Sequence, residues 1–421
     1  MVVDGGPLSA RVATLLRARG VSPVHVTSEV TDIGLGRGAS EGYTEEIAFD
    51  GDMRRLLALL APRLIAAVLS PSERGRTVAE ALAAALGLPG NPPELSDARG
   101  DKWQQAAQLT RCGISTADTA VAPTQLDAIA FTRGHPGQSW VLKPARGLAS
   151  EGVYVCADEG SLCAAFAALT TPNSQLSPPP PILVQSFLRG PEFVVSTVSC
   201  DGHHRTSSVF HYTKRLASWR PIYEYMDLVG PDHPLWQGLI SCAFRALDAL
   251  GLRYGAAHTE IIYTDAGPVV VEVNARPIGT INSAAHDACL GFNQLDLMAE
   301  AALEPVRFLS RQNPPPRRRM RRVFLINDRA GTVTSSPIAQ LLPTLLSYFA
   351  TDRLARPGAQ LCATHDVFSS PGVVTLVHED TEQIERDYAL IRGWEPRAFE
   401  WGPPEANARD CQPTNPMMRG A

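Results

Sequence analysis

Three residues, Glu260, Glu272 and Asn274, carry oxygen atoms at a spacing that could hold a hard metal ion. The run His258-Thr259-Glu260-Ile261-Ile262-Tyr263 and the run Pro268-Val269-Val270-Val271-Glu272-Val273-Asn274-Ala275-Arg276 flank Thr264-Asp265-Ala266-Gly267, which reads as a hairpin. If the turn centres on Ala266, Ile262 faces Val270, Glu260 faces Glu272 and His258 faces Asn274. Side chains alternate along a strand, so His258, Glu260, Glu272 and Asn274 share one face, and Ile261, Val271 and Val273 form an apolar one. Two opposed carboxylates repel unless a cation lies between them. Carboxylates with an amide oxygen suit Mg²⁺ that keeps part of its water and is shared with phosphates. The spacing alone also fits two unrelated surface acids on an edge hairpin, and a one-residue slip in register would separate them.

Upstream, the strand Val141-Leu142-Lys143-Pro144 runs through Ala145-Arg146-Gly147-Leu148-Ala149-Ser150-Glu151 into Gly152-Val153. Loop amides and a lysine placed this way can cradle polyphosphate, although a lysine ending a strand before a glycine turn is commonly structural. The stretch is neither a P-loop, since no Gly-Lys-Ser/Thr precedes a helix, nor a dinucleotide fingerprint, since no helix follows the glycines. A third stretch, Ile182 to Ser186, passes through Phe187-Leu188-Arg189-Gly190-Pro191 into Glu192-Phe193-Val194-Val195. Such a connector can offer backbone groups to an adenine edge, and Glu192 can accept from ribose hydroxyls. Alone it is an ordinary β-connection.

The elements that must position these residues belong to a chain of 421 residues, long enough for two to four domains. Hydrophobic residues at 44% and charged residues at 19% give a globular balance. With 38 Lys and Arg against 43 Asp and Glu, the net charge is 38 − 43 = −5, which argues against a nucleic-acid partner. No apolar run is long enough for a membrane helix, and the start MVVDGG lacks a signal-peptide pattern. Eight scattered cysteines without a Cys-x-x-Cys pair read as reduced thiols of a cytoplasmic protein.

The first hundred residues alternate strand and helix. Met1–Val3 is an apolar opening, followed by helix 10–19, strand 24–27, helix 54–60, a buried strand at Leu64–Leu69 and helix 75–86. This pattern implies a small parallel α/β domain. Boundaries fall at 1–96, 97–181, 182–305, 306–398 and 399–421, the last a loose tail. Ser177-Pro178-Pro179-Pro180-Pro181 reads as a polyproline spacer. Arg311 to Arg322, with six positive charges, reads as a solvated linker in preference to a nucleic-acid patch.

Together the three stretches resemble the ATP-grasp superfamily of carboxylate–amine ligases over about residues 1–395. The matching elements, in order, are Asp101-Lys102; Lys143-Pro144 with Gly147, Ser150 and Gly152; Gln185 to Glu192; and Glu260, Glu272, Asn274 and Arg276. Gly255-Ala256-Ala257-His258-Thr259-Glu260 and Asn274-Ala275-Arg276-Pro277-Ile278-Gly279 look most like the dipeptide-forming L-amino-acid ligases. The resemblance implies a mixed α/β and α+β fold: an N-terminal parallel α/β domain, two lobes sandwiching ATP, and a C-terminal β-rich subdomain.

The resemblance also implies roles. Lys102 and Lys143 hold the ATP phosphates, and the loop of Ser150 and Gly152 closes over them. Gln185, Phe187, Leu188 and Glu192 frame adenine and ribose. Glu260, Glu272 and Asn274 hold two Mg²⁺, or Mn²⁺ in their place. Arg276 stabilises the acyl phosphate and tetrahedral intermediate and, with Gly279, contacts substrate. Lys214 is either a further nucleotide contact or a solvated surface lysine, and His258 either touches substrate or is a satisfied structural histidine.

Ligases of this type tend to carry Glu-x-x-His before a proline in the acceptor region. Here the run is Glu224-Tyr225-Met226-Asp227 before Pro234, with aspartate in the histidine's place. Glu224 and Asp227 are therefore the acceptor candidates, and substrate identity is not carried over. Arg215 and Arg220 are either carboxylate holders nearby or surface arginines. The implied reaction activates an amino-acid carboxylate as an acyl phosphate and joins it to another amino acid's amine, releasing ADP and phosphate, in a small secondary-metabolite pathway. The alternatives are a purine-pathway-like carboxylate–amine ligase and a non-catalytic nucleotide-binding scaffold. Implied partners are small-molecule amino acids, with neither nucleic acid nor membrane, in a monomer or homodimer.

Overall fold

The computed structural model describes residues 1–28, 41–135, 139–145, 152–170, 181–217, 220–279, 282–312 and 315–402. Strands Val2–Val3 (β1), Val24–Ser28 (β2) and Glu45–Phe49 (β3) pair in parallel in the order β1-β2-β3. Helix Met53–Leu60 starts at Asp52, whose carboxylate caps the amides of Arg54 and Arg55. The expected strand at Leu64–Leu69 is corrected: only Leu69 bridges Val2, and Leu64 is fully exposed. The segment meets β1 only near its end, where Ala67 O accepts from the Met1 amine and Leu69 exchanges hydrogen bonds with Met1 and Val3.

The second unit is an antiparallel sheet of Thr119–Ala122 (β4), Trp140–Pro144 (β5), Tyr154–Cys156 (β6) and Ile182–Ser186 (β7), ordered β4-β7-β5-β6. Helices Gln125–Arg133 and Glu159–Thr170 cover it, burying Leu142, Leu162, Phe166 and Val184. Thr124 and Asp127 form a reciprocal capping box at the start of the first helix.

The largest layer has eight strands. Glu192–Cys200 (β8), His203–Ala217 (β9), Arg220–Val229 (β10), Gly255–Thr264 (β11), Gly267–Asn274 (β12), Arg319–Phe324 (β13), Tyr348–Asp352 (β15) and Val373–His378 (β17) run in the order β12-β11-β8-β9-β10-β13-β17-β15. Gly331–Ser335 (β14), Gln360–Leu361 (β16) and Glu400–Trp401 (β18) form a separate small sheet. Arg319–Phe324 corrects the solvated-linker reading of the basic tract. It is a central strand, and Arg321 and Arg322 are each 3% exposed.

Alternation divides the two faces of this sheet. Phe193, Val195, Ile261, Val270 and Val273 pack against helix Trp236–Ala249 and the neighbouring Leu109. On the opposite face, one end is buried under helices Ser283–Leu290 and Gln294–Leu303 by Val198, Phe210, Met226 and Met320. The other end of that face is left open, and there the sheet carries polar side chains.

Candidate active site

The hairpin register places Glu260 opposite Glu272 and His258 opposite Asn274. The turn is tighter than expected, pairing Thr264 with Gly267, and a bulge beyond Glu260 restores the register. Ile262 therefore pairs with Val269, and the apolar face consists of Ile261, Val270 and Val273. Val271, expected on that face, is corrected to the cleft wall because it is the extra residue of the bulge.

A cleft of about 950 Å³ opens over this face. Lys102, Lys143, Gln185, Phe187, Leu188, Glu192, Lys214, His258, Glu260, Glu272, Asn274, Arg276 and Gly279 all line it. Residues separated by up to 177 positions in the chain thus converge on one space.

Asp101 caps helix Lys102–Arg111 and so fixes where Lys102 emerges; the Lys102 ammonium lies 3.1 Å from Glu272. Lys143, 5% exposed at the end of β5, loses proton affinity chiefly by burial, which Glu272 and Glu260 partly offset and Lys102 reinforces. Burial raises the Glu272 carboxyl, but Lys102, Lys143 and Arg276 more than cancel this and hold it below the usual range. Burial, with Glu272 and Glu192 nearby, pushes Glu260 up to about 7 against the pull of Lys214 and Lys143.

At the other wall, the Lys214 ammonium meets Glu192 at 2.5 Å and lies 4.2 Å above the Tyr223 ring. Lys214 is therefore no solvated surface lysine. In the connector, the Phe187 amide donates to Ser139 O. Gly190 sits at φ 146°, and a Cβ there would fall 2.2 Å from Tyr263 O, so only glycine lets the connector approach β11 so closely.

His258, 5% exposed, donates from Nδ1 to Arg276 O at 3.1 Å. Burial and the nearby Arg276 charge push its pKa to about 3, so the ring is neutral and Nε2 is an acceptor. Arg276 donates to Pro277 O at 3.1 Å, and its Nε lies 4.0 Å from Glu73 of the N-terminal domain.

A family model of the ATP-grasp domain matches residues 99–280. Over 414 residues the chain is 30% identical to dapdiamide A synthase of Enterobacter agglomerans, an alignment covering 96% of this chain and 97% of that one. The chain belongs to the ATP-grasp ligases. It is an ATP-dependent, ADP-forming carboxylate–amine ligase. Two solved structures share the fold of this ligase. The L-amino acid ligase from Bacillus licheniformis has a TM-score of 0.74 at 18% identity, covering 96% of this chain and 98% of that one. The carboxyaminoimidazole ribonucleotide synthase of Aspergillus clavatus complexed with ATP gives 0.69 at 14%, covering 94% and 98%.

ATP-grasp enzymes use ATP with Mg²⁺, and the donor set of this ligase fits that ion. Two carboxylates oppose each other, one held above its ordinary pKa, and Asn274, a residue 8% exposed, stands beside them with its amide. Among the described residues no group of three or more His, Cys, Asp or Glu converges as a metal cage. Two acids and an amide leave coordination positions for phosphate oxygens and water, as Mg²⁺ requires.

Two expected acceptor residues do not reach the cleft of the ligase. A bulge at Glu224 turns Asp227 to the opposite face, where both its oxygens take Arg321 at 2.6 and 2.7 Å. The Glu224 carbonyl accepts from Arg392. Gly152, at φ 68°, packs against Pro144 and Leu169 without lining the cleft. Ser150 lies outside the described residues. Arg215 lines the cleft, whereas Arg220 stacks 4.6 Å over Tyr154 and joins the two lobes.

Other lining residues went unread in the sequence: Glu73 and Arg74, Tyr212 and Tyr223, and Arg322, Phe324, Asp352 and Arg353. The signal for Arg322 was the alternation of Met320, Arg322 and Phe324, a strand pattern with a charge on its inward face.

Proposed function

We propose that this ligase activates the carboxylate of one amino acid and joins it to the amine of a second, giving a dipeptide or γ-glutamyl-type amide in a small secondary-metabolite pathway. The observation that carries this reading is the composition of the cleft. Beyond the acid pair it offers both a carboxylate, Glu73, and guanidinium groups, Arg276, Arg322 and Arg353, as zwitterionic substrates need. The similarity to a protein named dapdiamide A synthase, and to the fold of an L-amino acid ligase, supports it.

Each residue then has a task. Lys102 and Lys143 bind the ATP phosphates, and Gln185, Phe187, Leu188, Glu192 and Lys214 receive the nucleoside. Glu260, Glu272 and Asn274 hold two Mg²⁺, which when bound neutralise charge on the transferring phosphoryl group. A carboxylate is a poor electrophile because its leaving group would be oxide. Attack of its oxygen on the γ-phosphorus expels ADP and creates a phosphate leaving group. The amine then attacks the carbonyl carbon, the C–O bond to phosphate breaks, and the amine proton leaves with solvent. Arg276 stabilises the oxyanion of that step, and the neutral Nε2 of His258 accepts a hydrogen bond from a substrate N–H.

The test is an ADP-release screen over the twenty L-amino acids, singly and in pairs, with purine-pathway ribonucleotide amines alongside and products weighed by mass spectrometry. ADP released with a pair, together with a product at the summed mass less one water, is expected. Turnover with ribonucleotide amines alone would overturn the assignment.

A further inference from the structure

At the far end of the cleft two guanidinium groups meet with donors to spare. Arg322, 3% exposed on β13, donates from Nη1 to Thr375 Oγ1 and from Nη2 to Asp352 Oδ2, both at 3.0 Å, while its buried Nε has no partner among the described residues. Arg353 follows β15 at φ 55°, a left-handed conformation costly for a side-chain-bearing residue. Its one hydrogen bond among the described residues is a long contact from Nη2 to Val367 O at 3.5 Å. Both residues line the cleft.

Two acids accompany this pair. Asp352 lines the cleft and pairs with Arg322, while Asp366, which accepts from the amide and hydroxyl of Ser369 at 2.7 Å each, acts on Arg353 from behind the cleft lining. Of these four groups, both guanidiniums but only one carboxylate, Asp352, line the cleft, so the surface offered to a ligand there holds more cation than acid. β13 lies four strands from β11, roughly 19 Å at the backbone, so this charge is set apart from the acid pair.

We propose that Arg322 and Arg353 form an anion subsite for the substrate carboxylate that is not activated. Guanidinium forks match a carboxylate in two-point geometry, and a strained backbone that aims one of them is retained where a ligand uses it. The subsite rests on the amino-acid reading above and deepens it. It holds the unreactive acid away from the phosphoryl group, so that only the other carboxylate reaches the γ-phosphorus.

The test titrates full-length enzyme carrying Mg–ADP, by calorimetry, with the twenty L-amino acids, with their amides, and with ribose 5-phosphate. The free acid should bind roughly 10- to 100-fold more tightly than its amide, the range for charged hydrogen bonds. Arg353→Asn, whose side chain tolerates the left-handed backbone, should abolish that preference, and Asp352→Asn should enlarge it. Equal binding of acids and amides by the unaltered enzyme, a preference surviving Arg353→Asn, or tighter binding of ribose 5-phosphate than of any acid would overturn the subsite. Should Arg353→Asn fail to fold, an acid preference that Asp352→Asn leaves unchanged or weakens would refute it. An Arg353-dependent acid preference without amide product from any amino-acid pair would sink the proposed reaction and leave the subsite standing.

Discussion

Glu260 and Glu272 stand directly across the β11–β12 ladder from each other, on one face, with Lys102 against the second of them at 3.1 Å. Opposed carboxylates in a partly dry cleft destabilise a hairpin unless cations accompany them. The chain supplies Lys102, Lys143 and Lys214, and leaves Glu260 the less ionised of the pair. The arrangement is poised for a further cation.

Replacing one acid tests the pair most simply. Glu272→Gln keeps the shape of the side chain and should leave the circular-dichroism spectrum unchanged while lowering the rate of ADP formation by at least about 10²-fold, the order lost with a transition-state charge partner. Near-normal turnover in this variant would refute the metal role.

The raised pKa of Glu260 makes a second prediction, with a definite sign. An acid whose folded-state pKa is about 7 instead of 4.5 holds its proton more tightly folded than unfolded, so stability falls as pH rises from about 4.5 to about 7. Burial is the largest cause, and of the charged groups that face it Glu272 and Glu192 outweigh Lys214 and Lys143. Without Mg²⁺, Glu260→Gln should therefore raise the melting temperature at pH 8 and change it little at pH 5. A destabilising effect at pH 8 would mean that neither burial nor the facing acids penalise the Glu260 charge.

Lys143 is buried, so its charge is held in place only by the acids opposite and by whatever anion enters the cleft. Lys143→Ala should weaken ATP binding roughly 10- to 100-fold by calorimetry, in the range of a charged hydrogen bond. Unchanged nucleotide affinity would remove it from the phosphate site.

Asp227 separates the sequence reading from the structure. Its carboxylate holds Arg321, which also takes Glu385 and lies 3.9 Å from the Tyr225 ring. Asp227→Asn should cost about 1–2 kcal/mol of stability, less than a fully buried pair because the Asp227 side chain is 30% exposed and Glu385 remains. The Michaelis constant for the amine should not move. A rise in that constant with stability unchanged would restore the acceptor role.

Much of this was legible in the sequence, for identifiable reasons. The Glu260–Glu272 pairing was readable because a short turn between two apolar runs dictates register over a few residues. Even there the position of Val271 was not, since a bulge leaves no mark in the pattern. The strand ending in Lys143 and the connector 187–191 were readable as local features whose meaning came from their order along the chain. Asp227 was misplaced for the same reason as Val271: a bulge at Glu224 exchanged the faces of β10. Arg322 and Arg353 were missed because their role depends on β13 and β15 joining the central sheet, a long-range pairing that no local spacing encodes. The basic run around Arg322 also imitates a solvated linker, since burial of an arginine depends on partners such as Asp352 and Thr375 far along the chain.

The most direct test of the account is the fate of a carboxylate oxygen. With ¹⁸O in the carboxylate of the acid substrate, ATP and the amine, activation as an acyl phosphate predicts one ¹⁸O atom in the released inorganic phosphate for every amide formed. Amide product accompanied by phosphate without label would contradict it.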